Sequence, residues 1–315
     1  MSGVILVTGA TGFVGGHMLD RLADRAPVVA WSRPGGTPPD PSRHLDWHAV
    51  DLGDRDAVAA ALDIAAPESI FHLAGAPSVD TSWQNVVPHL RVNALGTHNL
   101  LEAVRRRGAR CRVLVVSSAQ IYQTSDEAIS EDAPLVPSNP YGLSKLAEDQ
   151  LAMRVAMEDG LDIVVARPFN HIGPRQAPAF AVSSFARQIA RIEAGLAPPE
   201  IRVGNLEPRR DLTDVRDVAE AYDLLMSRGE SGRAYNVCSG RAWMMRDVLE
   251  ELLHLSSKQI EVSVDPSRFR PNDLPILQGD ATRIRTELRW TPRLRVEQTL
   301  RDTLDWWRQE TSAGR

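Results

Sequence analysis

The sequence predicts an α/β protein: a doubly wound parallel sheet joined to a smaller, interleaved α/β lobe toward the C-terminus. Three observations lead there. Short, nearly unbroken apolar runs alternate with helical patterns through the first two-thirds of the chain, and a glycine-rich turn closes the first run. After Pro168 the texture shifts to loop-like, Pro- and Arg-rich segments. Strands covered by helices on both faces read as continuous apolar runs rather than alternating ones.

In chain order, strands are expected at VILVTG (4–9), VVAWS (28–32), SIFHLAG (69–75), RVLVVSS (112–118) and DIVVARP (162–168). Helices are expected between them at HMLDRLAD (17–24), AVAAALDIA (57–65), THNLLEAVRRRG (97–108) and SKLAEDQLAMRVAMED (144–159). Strands spaced by helices of this length imply parallel pairing with helical crossovers. Beyond them, NHIGPRQAPAF reads as loop and FARQIARIEAG (185–195) as helix. EIRVGNLEPRRDLTDVRDVAEAYDLLMS passes from a short strand to a helix, and TLRDTLDWWRQE closes the chain as another. The expected division assigns 1–168 plus about 212–238 to a Rossmann unit. It leaves about 169–211 plus 239–315 to a substrate lobe.

A chain of 315 residues can bury a substantial core. A net charge of −5 argues against nucleic-acid binding, which uses a basic face. No apolar run approaches the ~20 residues that span a bilayer, so no membrane partner is expected. The stretch GVILVTGA enters a strand at once, which predicts no signal peptide. Cys111 and Cys238 are isolated, without metal-type spacing, and read as reduced thiols. A cytoplasmic protein with no metal site is the expectation.

TGATGFVGGH (8–17) ends the first strand and opens a helix. Gly9 suits the tight turn, Gly12 lets backbone approach a pyrophosphate, and Gly15 lets helix and strand pack closely. Thr11, Phe13 and Val14 fill the rest of this cofactor loop. At the end of the second strand, Ser32 and Arg33 stand where an acid would hold the ribose 2′-hydroxyl of NAD, and no acid follows before Asp40. An arginine there suits a 2′-phosphate, so NADPH is expected over NADH. Asp51 and Leu52 are placed at the adenine edge, and Ala74 and Gly75 under the ribose and pyrophosphate.

With TGATGFVG, HLAG, SSAQIY and YGLSK (141–145) together, the chain resembles the extended short-chain dehydrogenase/reductases along nearly its whole length. The resemblance implies a catalytic set of Ser118, Tyr141 and Lys145, with Leu73, Asn93 and Arg167 completing the cofactor contacts. The positions suit the chemistry. Residues four apart share a helix face, and an ammonium near a phenol eases its proton exchange. Lys145 would also hold the nicotinamide ribose, while Ser118 hydrogen-bonds the reacting oxygen.

RPFNHIGP, VGNLEPRRDLTDVRDVAEAY, YNVCSG and the Arg270-Pro271 turn resemble the sugar-nucleotide branch. They look most like the GDP-4-keto-6-deoxy-D-mannose reductases, which form GDP-D-rhamnose. This resemblance implies a GDP-sugar substrate, with Asn170, Arg210 and Arg270 around the diphosphate and Glu200 and Asn205 near the guanosine. Guanidinium groups pair phosphate oxygens bidentately. GDP-mannose 4,6-dehydratases share several of these elements. Dehydratases, however, carry carboxylic acids just after the catalytic hydroxyl residue, where this chain has Ala119 and Gln120. A methyl and an amide supply no proton for eliminating water. Gln120 is instead expected to touch substrate. A 4-epimerase also lacks the acids and stays an alternative, as does a non-catalytic NADP sensor. The resemblance further implies a homodimer formed by a helix bundle around 90–107 and 144–159. Gln123 departs from the glycine common at that position.

Overall fold

The computed structural model describes residues 3–25, 27–36, 45–76, 83, 85–269 and 274–314. Asp40, Arg270 and Pro271 lie outside them. The first unit runs β1 (Ile5–Thr8), α1 (Phe13–Leu22), β2 (Val28–Ser32), β3 (Asp46–Ala49), α2 (Arg55–Ala65), β4 (Ser69–His72), α3 (Val86–His89), α4 (Gly96–Arg107), β5 (Arg112–Val116), α5 (Pro140–Glu158) and β6 (Ile163–Pro168). A π-type turn, Leu90–Leu95, carries α3 into α4. The chain continues with β7 (Asn170–Ile172), α6 (Ala181–Glu193), β8 (Glu200–Val203), β9 (Arg209–Asp214), α7 (Val215–Arg228) and β10 (Arg233–Val237). It finishes with β11 (Ala242–Met244), α8 (Met245–His254), β12 (Glu261–Val264), β13 (Ile276–Leu277), α9 (Thr282–Leu288) and α10 (Val296–Ser312).

Seven strands make one sheet in the order β3-β2-β1-β4-β5-β6-β10, and every pairing is parallel. All five strands expected from the apolar runs are present; β1, β2, β4 and β6 are buried at every position. The sheet gains two edges. β3 escaped the sequence reading because DWHA is polar and half exposed, as an edge strand tolerates. Strand order reverses between β1 and β4, and ligands of such sheets bind in the crevice beyond that point. Thr8 and His72, the last residues of β1 and β4, pair in register there.

Both site helices begin earlier than their apolar periodicity suggests. α1 starts at Phe13, straight after the glycine turn. α5 starts at Pro140, because Asn139 caps it by accepting the Gly142 N–H at 2.8 Å and proline fits the first helical position.

The second lobe has its own core, in which Phe185, Ile189, Ile201, Leu212, Leu249, Leu300 and Trp307 pack together. Leu277, Ile284, Leu288 and Trp290 pack with Tyr235 and Val237 in the core of the first unit. The segment around 277–290 thus joins the two sheets: β13 pairs with β9 in the smaller one, and α9 packs along the β10 edge of the main one.

Candidate active site

The glycine turn is shaped by close approach. Gly9 has φ +65°, and a Cβ on it would lie 2.7 Å from the Ala74 Cα. A Cβ on Gly15 would lie 2.2 Å from the Gly9 carbonyl oxygen. Gly12 is the N-cap of α1, where no side chain caps the helix and no acid occupies the first turn. The first N–H groups of α1 are thus left to face the crevice, an arrangement suited to pyrophosphate. Phe13 turns its ring onto His171, stacked with centroids 5.8 Å apart, which ties the turn to β7. The Val14 side chain packs against the first core, so it offers a dinucleotide backbone alone.

Arg33 is exposed and pairs with no acid among the described residues, while Ser32 is buried beside it. Ala74 donates its N–H to Thr8 Oγ1 at 3.2 Å, and Leu73 and Gly75 flank it at the rim. These small residues leave room beside the glycine turn, and the whole cradle fits a nicotinamide dinucleotide.

Ser118 ends the strand side of the site. Its Oγ accepts the Gln120 N–H at 3.1 Å and starts a 3-10 turn over Ala119–Ile121. This turn lies directly on the first turn of α5. A Cβ on Gly142 would stand 2.3 Å from the Gln120 carbonyl oxygen, so only glycine allows the contact. Asn139 donates through Nδ2 to Gln120 Oε1 at 3.0 Å, binding the two turns again. Tyr141 sits in that helical turn, half-buried, with the buried His89 ring edge-on at 6.3 Å. Ala119, the first position where a dehydratase acid is expected, buries its methyl in the core at 2% exposure.

Lys145 is 5% exposed and reaches β5: its ammonium donates to the Val116 carbonyl at 2.7 Å and to Glu148 Oε2 at 2.5 Å. A third proton remains for the crevice, where Gly75 and Asn93 lie close by. Burial disfavours the ammonium, but the neighbouring Glu148 carboxylate outweighs it and holds the Lys145 pKa above the usual lysine value. Behind this group, His72 bridges Thr8 Oγ1 and Thr97 Oγ1, each at 2.8 Å. Complete burial and Lys145 push the His72 pKa down to about 3, so the imidazole is neutral.

Several residues named from the sequence do other work. Arg167, expected at the cofactor, has a buried guanidinium that pairs with Asp149 through two 2.9 Å bonds and donates to Tyr122 and to the Glu131 carbonyl. Asn93 is fully buried; it accepts the Ala76 N–H and donates to Ser144, bracing the crevice floor against α5 rather than lining it. Leu52 points into the core near Gly96, and Asp51 spends its carboxylate on the Gly53 N–H and Arg91. In the second lobe Asn170 is exposed at the start of β7. Arg210, partly exposed, donates to the Leu274 carbonyl at 2.7 Å, and Glu200 pairs with Arg202 on the same strand. Asn205 accepts the Glu207 N–H. Arg270 is outside the described residues, so the clamp it was expected to complete is not seen.

Sequence reasoning missed Glu148, His72, Thr97 and Thr8, the polar group behind Lys145. Glu148 had a legible signal, since it lies one helical turn after Lys145. The histidine of HLAG had none, because its partners come from distant elements.

A glycine cradle at the switch point of a parallel sheet, with a strand-end serine beside a Tyr-Lys helix turn, defines a nucleotide-cofactor oxidoreductase of the short-chain dehydrogenase/reductase class. The family described as GDP-mannose 4,6 dehydratase matches residues 6–303, and the chain belongs to it. It is 36% identical over 306 residues to the GDP-6-deoxy-D-mannose reductase of Pseudomonas aeruginosa, covering 96% of each chain. The structure of RMD from Pseudomonas aeruginosa complexed with NADPH superposes with a TM-score of 0.87 at 34% identity, covering 98% of this chain and all of that one. The UDP-glucose 4-epimerase of Thermus thermophilus in complex with NAD gives a TM-score of 0.86 at 30% identity, covering 97% of this chain and 99% of its own.

Proposed function

We propose that this protein is an NADPH-dependent reductase that converts the C4 ketone of GDP-4-keto-6-deoxy-D-mannose to the alcohol, giving GDP-D-rhamnose. The observation that carries this reading is the turn Ser118–Ala119–Gln120. Ser118 keeps its hydroxyl at the strand end, Ala119 buries a methyl, and the Gln120 side-chain amide oxygen accepts from Asn139 Nδ2. The turn lacks a carboxyl group to take the C5 proton or protonate a leaving C6 hydroxyl, while ketone reduction needs neither. The identity with the Pseudomonas aeruginosa reductase supports the same reading. The exposed Arg33, which pairs with no acid among the described residues, and the NADPH in the related RMD structure support NADPH over NADH.

Bound NADPH would supply the hydride that reduces the C4 carbon. The glycine turn and the α1 N-terminus would hold its pyrophosphate, Arg33 its 2′-phosphate, and Lys145 its nicotinamide ribose. Ser118 donates a hydrogen bond to the C4 oxygen and fixes it toward Tyr141. Tyr141 then passes its phenolic proton to that oxygen as charge develops there, so carbonyl, hydride and proton balance to a secondary alcohol. In the second lobe Asn170, Arg210 and Arg270 would contact the diphosphate, and Glu200 and Asn205 the guanosine.

Purified protein given the 4-keto sugar and NADPH should oxidise NADPH with formation of the 4-hydroxy product. Tyr141→Phe should lower turnover by about 10²-fold or more while leaving NADPH binding in place. Absence of oxidation with both ligands bound would overturn the reading, and unchanged turnover in Tyr141→Phe would remove Tyr141 from it.

A homodimer pairing α4 and α5 with a second copy is part of the same proposal. Leu143 and Met157 on α5 and Leu95 just before α4 support it by their exposure, 50%, 70% and 45%. Light scattering of the eluted protein measures it as twice the chain mass. Among the described residues no helix is long and apolar enough to cross a membrane. A cytoplasmic location fits the unpaired thiols of Cys111 and Cys238.

A further inference from the structure

Glu148 has no solvent exposure and stands one turn along α5 from Lys145, with Oε2 2.5 Å from the ammonium. Thr97 lies against the same carboxylate, yet its Oε1 has no full hydrogen-bond partner among the described residues. A buried carboxylate left half satisfied is expensive. It stands beside the one cation that faces the catalytic phenol from its own helix.

An uncompensated ammonium beside a phenol favours phenolate, the form that accepts a proton from an alcohol. Reduction of a ketone needs the opposite form. We propose that Glu148 is a positioning residue for the reaction: its carboxylate offsets the Lys145 charge, so that Tyr141 retains its proton and enters reduction as an acid. This rests on the reading of the chain as a ketone reductase.

The surrounding groups leave Glu148 as the controlling charge. On α5, Asp149 is consumed by Arg167 of β6. His72 of β4 is neutral, and β5 presents the Val116 carbonyl. Thr97 comes from α4, His89 of α3 meets the Tyr141 ring edge-on, and Tyr222 of α7 is a fully buried phenol. Burial pushes the Glu148 carboxyl up to about 7 against the pull of Lys145, so it carries its charge through the alkaline range.

The test replaces Glu148→Gln, which removes the charge and keeps an acceptor, and Glu148→Asp, which keeps the charge. In kcat/KM for ketone reduction, the alkaline limb of the pH profile should move down by about one pH unit in Glu148→Gln and stay near the parent in Glu148→Asp. Ultraviolet titration of the cofactor-free protein gives a second readout without turnover. The phenolate signal lost on adding Tyr141→Phe to each background isolates Tyr141, since burial pushes the phenols of Tyr122, Tyr222 and Tyr235 up. That signal should appear at lower pH in Glu148→Gln. A purely structural role would lower melting temperature and kcat at every pH and leave both curves unshifted, which overturns the proposal. If Glu148→Gln does not fold, a Glu148→Asp alkaline limb displaced as far as one unit also overturns it. A parent protein with no ketone reduction at all refutes the functional reading, and the titration still decides the role of Glu148.

Discussion

Replacing Gly142 by alanine would press directly on the contact between the turn that follows Ser118 and the helical turn that carries Tyr141. The new Cβ would stand 2.3 Å from the Gln120 carbonyl oxygen and 2.9 Å from the Pro137 Cβ, where real contacts stay above 3.0 Å. Relieving the first clash needs at least 3.0 − 2.3 = 0.7 Å of separation between two backbone segments. Neither segment yields easily: one is capped by Asn139, and the other carries Ala119 and Ile121 in the core. Overpacking of this kind costs about 1–3 kcal/mol of stability. A displacement approaching 1 Å between acid and oxygen-orienting groups costs on the order of 10²-fold in turnover. The assay is steady-state NADPH oxidation with the 4-keto sugar, beside a thermal melt and an NADPH titration. Turnover should fall by about that factor, with NADPH affinity nearly unchanged because the glycine turn is not disturbed. Turnover within about threefold of the parent in a folded variant would refute the claim that this contact sets the catalytic geometry.

Arg167→Met should act on stability and not on cofactor binding. It leaves Asp149 buried without its partner, which costs about 3–5 kcal/mol and lowers the melting temperature, while NADPH affinity of the folded fraction is retained. Arg33→Ala should weaken NADPH by about tenfold or more and leave NADH nearly unaffected, as read by fluorescence titration of both. Glu193 is held down to about 2 by its hydrogen bond to Arg308, against a usual 4.5. A depressed carboxylate contributes stability above its unfolded value and loses it as pH falls. Glu193→Gln should therefore destabilise at neutral pH and flatten the loss of stability between about pH 4.5 and 2, measured by denaturant melts across that range.

The main sheet was legible because central parallel strands are buried on both faces and cannot hide their apolar runs. Its edges were not: β3 is half exposed, and β10 lies beyond the second-lobe segments that interrupt the series. Helix starts were misplaced where capping replaced periodicity, as Asn139-Pro140 shows for α5. The serine, tyrosine and lysine positions came from the resemblance to a known family, and the structure adds what motifs cannot carry. Arg167 and Asn93 are polar residues close to the site in sequence logic, yet each is absorbed into a brace whose partners come from several elements. His72 likewise joins the group behind Lys145 only through folding, whereas Glu148 follows Lys145 by one helical turn.

The central claim concerns Ala119 and Gln120, and one measurement addresses it most directly. The protein is supplied in parallel with GDP-mannose and NADP+, and with the 4-keto-6-deoxy derivative and NADPH, and the products are resolved by NMR. The account predicts a 4-hydroxy-6-deoxy sugar nucleotide from the second substrate, with the configuration of rhamnose, and an unchanged first substrate. Loss of water from GDP-mannose would contradict it, because the turn at Ser118 would then carry out an elimination for which it holds no acid.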